Sequence, residues 1–195
     1  MFGNISRRYM SFMYPVPRKL SEVAKVPLLM QCDSQKISSL WKQQFKDRND
    51  VVTTTIPAGL YEQLSHNVSS SKMFILPIKV NESSSYNMIV QFANPKSALF
   101  TSVDSYKALG FDKSPPYFIL TFFDELVKQK GIVLVRGDIT NPKDVSKPNA
   151  ERLMNMTIQF YSDINLYRWV DRFNNRSREF QFEDFVASCR HIIYG

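Results

Sequence analysis

The sequence has 195 residues, enough to bury one hydrophobic core without disulfides or metal ions, and its 44 % hydrophobic content with 15 Phe and 9 Tyr excludes a disordered chain. The two cysteines, Cys32 and Cys189, are too few for a disulfide framework and lack metal-ligand spacing. More than half of the formal net charge of +7 lies in residues 1–21, so the nearly balanced remainder does not favour a nucleic-acid binder. No apolar run reaches the ~18 residues of a membrane helix, which predicts no membrane insertion.

Residues 1–21 have the features of a mitochondrial presequence and leader. As a helix, the segment would place its apolar side chains on one face: Phe2, Ile5, Tyr9, Phe12 and Met13. It contains arginines and serines and no acidic residue, which is typical of transit peptides. Arg7-Arg8-Tyr9 resembles an Arg-x-Tyr processing signal, which predicts a cut after Tyr9. The alternative is the basic N-terminus of a cytosolic protein, because Pro15 and Pro17 would end the helix early.

A helix, a strand and a second helix are predicted in succession between Ile37 and Leu64. The first helix has apolar residues at helical spacing: Ile37, Leu40, Trp41 and Phe45. Asp33 or Ser34 supplies its N-cap, and we expect Leu40, Trp41 and Phe45 to be buried against a sheet. The β-branched run from Val51 to Thr55 predicts the strand. Pro57 then takes the first position of the second helix, where its missing N–H is not needed.

The rest of the chain predicts a run of short strands followed by helices. The strands are expected over residues 73–80, 86–93, 98–103, 116–123 and 131–139, and the later helices over 146–161, 166–173 and 180–191. Pro77 lacks a ladder N–H, so its strand should lie at an edge or carry a bulge. Helices at both ends bracket strands joined by tight turns. This order predicts an α+β fold with a single, mostly antiparallel sheet of about five or six strands, packed with N- and C-terminal helices in one domain, residues 22–195.

Residue types that carry catalysis or bind metals form no recognisable site in the sequence. Six glycines leave no Gly-rich phosphate loop. His66 and His191 stand alone, since Cys189 would not share a helical face with His191. We therefore predict no catalytic residue, no cofactor and no metal site, and a protein that is not an enzyme.

The order of helix, polar turn, Val-Val-Thr strand, Ile-Pro and helix resembles one family, the mitochondrial assembly factors that chaperone the beta subunit of the F(1) head of ATP synthase. Further anchors follow in that family's order: Ile75-Leu76-Pro77, Val90-Gln91-Phe92, Leu99-Phe100-Thr101, Gly131-Ile132-Val133-Leu134 and Phe173-Asn174. The resemblance covers most of the chain. The short, Pro-interrupted N-terminal region and the Lys- and Pro-rich loop at residues 141–148 depart from it.

This resemblance implies an assembly chaperone of the mitochondrial matrix. Such a protein would bind the unassembled beta subunit, prevent its aggregation and hand it to the alpha subunit, with no nucleic acid and no small-molecule substrate. Two alternatives stay open at this point. One is a mitochondrial RNA- or ribosome-associated module that stacks bases on Phe92, Phe100 or Phe118. The other is a small hydrolase with His66 as its base.

The strand before Asp124 is apolar on both faces and supplies the candidate partner surface. Phe118, Leu120 and Phe122 share one face, and Tyr117, Ile119 and Phe123 share the other. One set should pack on the long helix, and the other should be available to the client. We predict that Tyr117, Ile119 and Phe123 are the exposed, partner-binding set, because the Tyr117 hydroxyl suits a half-wet interface.

The presequence hypothesis predicts that residues 1–18 carry a fluorescent reporter into the mitochondrial matrix. Changing Arg7 and Arg8 together to Glu should leave the reporter in the cytosol, because the membrane potential draws positive charge inward. Changing both residues to Lys keeps the charge and is the matched control. A reporter that stays mitochondrial after the double Glu change would place the targeting signal elsewhere.

Overall fold

A computed structural model of the protein describes residues 18–79, 85–110 and 113–194. Its six strands form one sheet: β1 Val51–Pro57, β2 Met73–Lys79, β3 Ser85–Asn94, β4 Ser97–Ser102, β5 Phe118–Phe123 and β6 Ile132–Ile139. The strand order is β1-β6-β5-β4-β3-β2, and every neighbouring pair is antiparallel. The predicted α+β class is therefore confirmed, and β2 with its Pro77 is an edge strand as expected.

Helices flank this sheet at both ends of the described chain. They are α1 Leu20–Val23, α2 Val26–Leu29, α3 Ser34–Gln44, α4 Ala58–Ser70, α5 Val103–Leu109, α6 Val127–Lys130, α7 Lys147–Ser162, α8 Ile164–Asn175, α9 Phe182–Ser188 and α10 Arg190–Ile193. None of these helices is long and apolar enough to cross a membrane. The predicted presequence lies outside the described residues as far as residue 17.

Local capping chemistry sets the helix starts. The Asp33 carboxylate accepts a hydrogen bond of 2.7 Å from the Lys36 N–H, which fixes the start of α3. The Ser146 hydroxyl does the same for α7 by accepting from the Asn149 N–H. Pro57 is the N-cap of α4 and also the last residue of β1, one position before the predicted place. A proline φ of −61° fits both the strand end and the cap.

One face of the sheet, called here the helical face, packs on α4, α7 and α8. Phe118, Leu120 and Phe122 of β5 point to this face and are fully buried. They meet α7 residues such as Leu153 and Tyr161 in the same core. The prediction that this set of β5 side chains is the core is therefore confirmed.

The other face, called here the opposite face, is covered at one end by α1, α2 and α3. Trp41 of α3 is 2 % exposed, and its indole N–H donates a 3.0 Å hydrogen bond to the Val135 carbonyl of β6. Phe45 is also buried, as expected, but Leu40 is 36 % exposed and the prediction for it was wrong. The sheet-facing stripe of α3 consists of Ile37, Trp41 and Phe45, and Leu40 points towards α1 and α2 instead.

The folded structure begins before the expected boundary at residue 22. Leu20 is fully buried in the same cluster as Trp41, and its N–H donates a 2.9 Å hydrogen bond to the Glu125 carboxylate. The hydrogen bond to Glu125 and the burial of Leu20 attach α1 to the loop after β5.

Gly137 of β6 permits a close approach of the Phe118 ring in the helical-face core. A Cβ at this position would lie 2.3 Å from the Phe118 ring and 2.8 Å from the Val52 side chain. Both neighbours are buried, so neither can move aside freely. The phenyl ring of Phe118 therefore occupies the space that a larger residue would need.

The burial of Trp41 predicts that Trp41→Ala lowers the free energy of unfolding by about 3–5 kcal/mol, because it leaves a cavity and removes a hydrogen bond. Trp41→Phe keeps most of the ring and should cost less. Denaturant unfolding of the two variants measures both values. A melt of Trp41→Ala within a degree of wild type would show that the ring contributes little.

The packing at Gly137 predicts that Gly137→Ala destabilises the fold by about 1–3 kcal/mol through overpacking. Gly59 is the matched control, since it lies in α4 with no atom within 4 Å of the added Cβ. Gly59→Ala should stabilise the protein by about 0.5–1 kcal/mol. Equal unfolding midpoints for the two variants would contradict the proposed clash with Phe118.

Candidate partner-binding surface

A polar cleft lies on the opposite face of the sheet, beside the area covered by α3. Its volume is about 520 Å³, and we call it the sheet cleft. The residues that line it are Arg18, Arg48, Asp50, Ser97, Ile119, Thr121, Arg136, Asp138, Ile139 and Thr140. They come from β4, β5 and β6, from the residue after β6, from the turn before β1 and from the start of the described chain. Ile119 is the one apolar side chain of β5 among them, and it is half-buried.

The three predicted partner-binding residues do not share this surface. Ile119 lines the sheet cleft, but Phe123 is 2 % exposed and lies edge-on to Trp41 with ring centroids 5.7 Å apart. The expected exposure of Phe123 is therefore wrong, because α3 covers that end of β5. Tyr117 precedes the first strand residue, Phe118, and packs half-buried against the helical-face core. Its hydroxyl lies 3.0 Å from the Ser105 hydroxyl, so it is already hydrogen-bonded.

The charge inside the sheet cleft is largely paired. The Arg136 side chain is buried, and its Nε donates a 3.0 Å hydrogen bond to the Asp138 carboxylate. Its guanidinium also lies 5.0 Å from the centre of the Phe45 ring, a cation–π contact that links the cleft to α3. A buried guanidinium requires such partners, because an unpaired charge away from water is very costly. Arg136 is therefore a fixed part of the cleft floor.

A second arginine–aspartate pair stands at the mouth of the sheet cleft, next to β1. Arg48 donates from its Nε to the Asp50 carboxylate at 2.9 Å. This hydrogen bond lowers the pKa of Asp50 and raises that of Arg48. Both side chains are about half exposed, so the pair contributes little to stability. The opposite charges of the pair cancel, so the start of β1 carries charged side chains but little net charge.

The geometry gives little support to the two alternatives, an RNA- or ribosome-associated module and a small hydrolase. Phe92, Phe100 and Phe118, which base stacking would require to be exposed, are all buried in the helical-face core. His66 is an exposed residue of α4, and its carbonyl accepts a hydrogen bond from the Ser69 hydroxyl. Within the described ranges, no group of three or more His, Cys, Asp or Glu side chains is placed to hold a metal ion.

An exposed apolar groove between α1, α2 and α3 was not predicted from the sequence. Leu28 is 56 % exposed there, and Leu40 forms part of the same wall. The Gln44 amide donates a 2.8 Å hydrogen bond to the Val23 carbonyl and holds the helices together at one end. The helical pattern assigned Leu40 to the core, so only the packing of the short helices could reveal its exposure.

Comparison with known proteins gives one strong result. A scan against protein-family models matches residues 10–186 to the ATP11 protein family. A search of curated proteins found no match. A solution NMR structure of a Staphylococcus epidermidis protein from the Northeast Structural Genomics Consortium is 10 % identical and covers 69 % of this chain and 95 % of that chain, and its TM-score of 0.23 carries no argument.

The family match spans most of the chain and defines its class as an assembly factor of ATP synthase. The chain belongs to the ATP11 family, the F1 ATP synthase assembly factors. The resemblance inferred from the ordered anchors is therefore confirmed. The family implies a mitochondrial location, and it is a chaperone family that is not known as enzymatic.

Proposed function

We propose that this protein is a chaperone that binds the unassembled beta subunit of F1 in the mitochondrial matrix, prevents its aggregation and hands it to the alpha subunit. The observation that carries the proposal is the family match over residues 10–186. A chaperone of this kind needs no cofactor, only a surface that is complementary to an exposed subunit interface. The matrix location is supported by the acid-free, arginine-containing segment before residue 10. The family match begins at residue 10, directly after the predicted cut.

The sheet cleft around Ile119 is the surface that we assign to the client. Ile119 is half-buried on the opposite face, and the exposed polar side chains of Arg48, Asp50 and Thr140 line the same cleft. An apolar centre inside a polar rim is the usual arrangement of a protein interface. Of the residues predicted from sequence, Ile119 therefore stays in the proposed site. Phe123 and Tyr117 leave it, because α3 covers the first and Ser105 holds the hydroxyl of the second.

The proposed function predicts that the purified protein suppresses aggregation of isolated beta subunit at near-stoichiometric ratio, without ATP or added metal. Light scattering during dilution of denatured beta subunit measures the effect. Isolated alpha subunit, tested in the same way, shows whether the protection is selective. A wild-type protein without effect on beta subunit would overturn the proposed function.

The assigned surface predicts that Ile119→Asp spares the fold and weakens client binding by about 2 kcal/mol or more, as at an interface hot spot. The matched control is Ile164→Asp, which makes the same change at an 81 % exposed position of α8 and should bind like wild type. Ile119→Asn separates loss of apolar contact from repulsion by Asp138, the neighbour of Ile119 across the strands. Circular dichroism checks the fold, and a folded Ile119→Asp variant with full activity would remove this face from the site.

A further inference from the structure

The two edges of the sheet are protected to very different degrees. An edge strand presents unpaired backbone N–H and C=O groups, and natural proteins usually block them with lysine, proline, bulges or a covering element. Here β2 forms one edge and β1 forms the other. Comparing the groups that point outward from each strand shows which edge can accept another chain.

The β2 edge is closed. The Phe92 N–H of β3 donates to the Lys72 carbonyl, so the backbone groups of the even-numbered residues of β2 face β3. The backbone groups that point outward from β2 therefore belong to Met73, Ile75, Pro77 and Lys79. The side chain of Asn174 accepts from the Met73 N–H at 3.1 Å and donates to the Met73 carbonyl at 2.6 Å, as a neighbouring strand would. Pro77 has no N–H to offer, and Lys79 adds a charge at the end.

The β1 strand has no lysine, proline or bulge before its last residue. Hydrogen bonds from Ile139 N–H to Asp50 C=O and from Ala58 N–H to Gly131 C=O show that the even-numbered residues of β1 face β6. The backbone groups of Val51, Thr53 and Thr55 therefore point away from β6. Val51 is 1 % exposed, so of these three residues Thr53 and Thr55 present their backbone groups to solvent. Within residues 18–79, 85–110 and 113–194, no hydrogen bond reaches these outward groups. The strand is uncharged and β-branched from Val51 to Ile56, which favours extended pairing.

Accessible side chains accompany these backbone groups. Thr53 and Thr55 are half-buried rather than buried, and Thr55 donates from its hydroxyl to the Ser38 hydroxyl at 3.0 Å. The opposite face beside Thr53 and Thr55 is thus polar. The helical face beside this edge is apolar, since Val52 and Ile56 are buried under the helices. A strand added to β1 would have a polar environment on one of its faces and an apolar environment on the other.

We propose that the β1 edge binds an extended segment of the unassembled client subunit by backbone pairing along Thr53 and Thr55. This inference rests on the proposed function and names how the client is held. The segment has alternating polar and apolar residues, which match the two faces, and a neutral or acidic charge. A second copy of this chain fits less well, because two chains that both carry a net positive charge repel each other. The sheet cleft adjoins the start of β1 through Asp50, so a client could engage the edge and Ile119 together.

The direct test compares Thr53→Pro with Ile75→Pro in the full chain, with unassembled beta subunit as the probe. Both positions point their N–H groups out of an edge strand, so proline removes no ladder hydrogen bond in either variant. Thr53→Pro should weaken binding by roughly tenfold or more, because it removes a donor and blocks close approach. Ile75→Pro should bind like wild type. Equal binding by wild type and a folded Thr53→Pro variant, or equal loss in both variants, would overturn the proposal.

Amide hydrogen exchange of the unmodified chain tests the same inference without any substitution. The amides of Thr53 and Thr55 should exchange fast in the free protein and at least tenfold more slowly in the complex, whereas the amide of Ile75 should not change. Unchanged exchange at Thr53 in a formed complex would overturn the edge proposal and leave the proposed function standing. Slowing that depends on the concentration of this chain alone would assign the edge to a second copy and overturn the client assignment. A wild-type chain that forms no complex would overturn both.

Discussion

The apolar character of β5 on both faces is the constraint on which the rest of the structure depends. On the helical face, α4 and α7 bury Phe118, Leu120 and Phe122. On the opposite face, the α1–α3 group covers only the Phe123 end, where Trp41 is fixed by its hydrogen bond to the Val135 carbonyl. Because that bond holds α3 over β6 and the end of β5, α3 does not reach Ile119. The sheet cleft results from this partial cover, and a polar floor with paired charges lines it.

The two ends of the chain also determine which sheet edge is available. The C-terminal α8 lies along β2, and the amide of Asn174 replaces the missing strand at Met73. The N-terminal α3 lies over a face of β1, and its Ser38 hydroxyl accepts a hydrogen bond from the Thr55 hydroxyl, not from the outward backbone groups of Thr53 and Thr55. An unprotected, β-branched edge is a hazard of aggregation for a protein without a partner. In a chaperone, the same feature is a means of capture.

Much of the fold could be predicted because its signals are local. Runs of β-branched residues mark strands and Asp33 or Ser146 marks a helix start, whatever the rest of the chain does. The site could be predicted only in part. Alternation showed that Ile119 and Phe123 share a face, but the cover on Phe123 comes from Trp41, which is distant in sequence. The β1 edge depends on the pairing of β1 with β6, a long-range contact that no local pattern encodes.

A chaperone that hands over its client without ATP must bind it reversibly, and the two proposed contacts differ in a way that suits this need. Backbone pairing along Thr53 and Thr55 would be tolerant of sequence, and each hydrogen bond contributes only about 0.5–1.5 kcal/mol net. The proposed contact at Ile119 would depend on a particular side chain and would supply selectivity. Neither contact alone would hold the client tightly. Two contacts on one client strengthen each other, because each keeps the client close to the other. A competing subunit that displaces one contact would therefore also weaken the second. Under the proposed function, release would then follow from the larger interface that assembly itself forms.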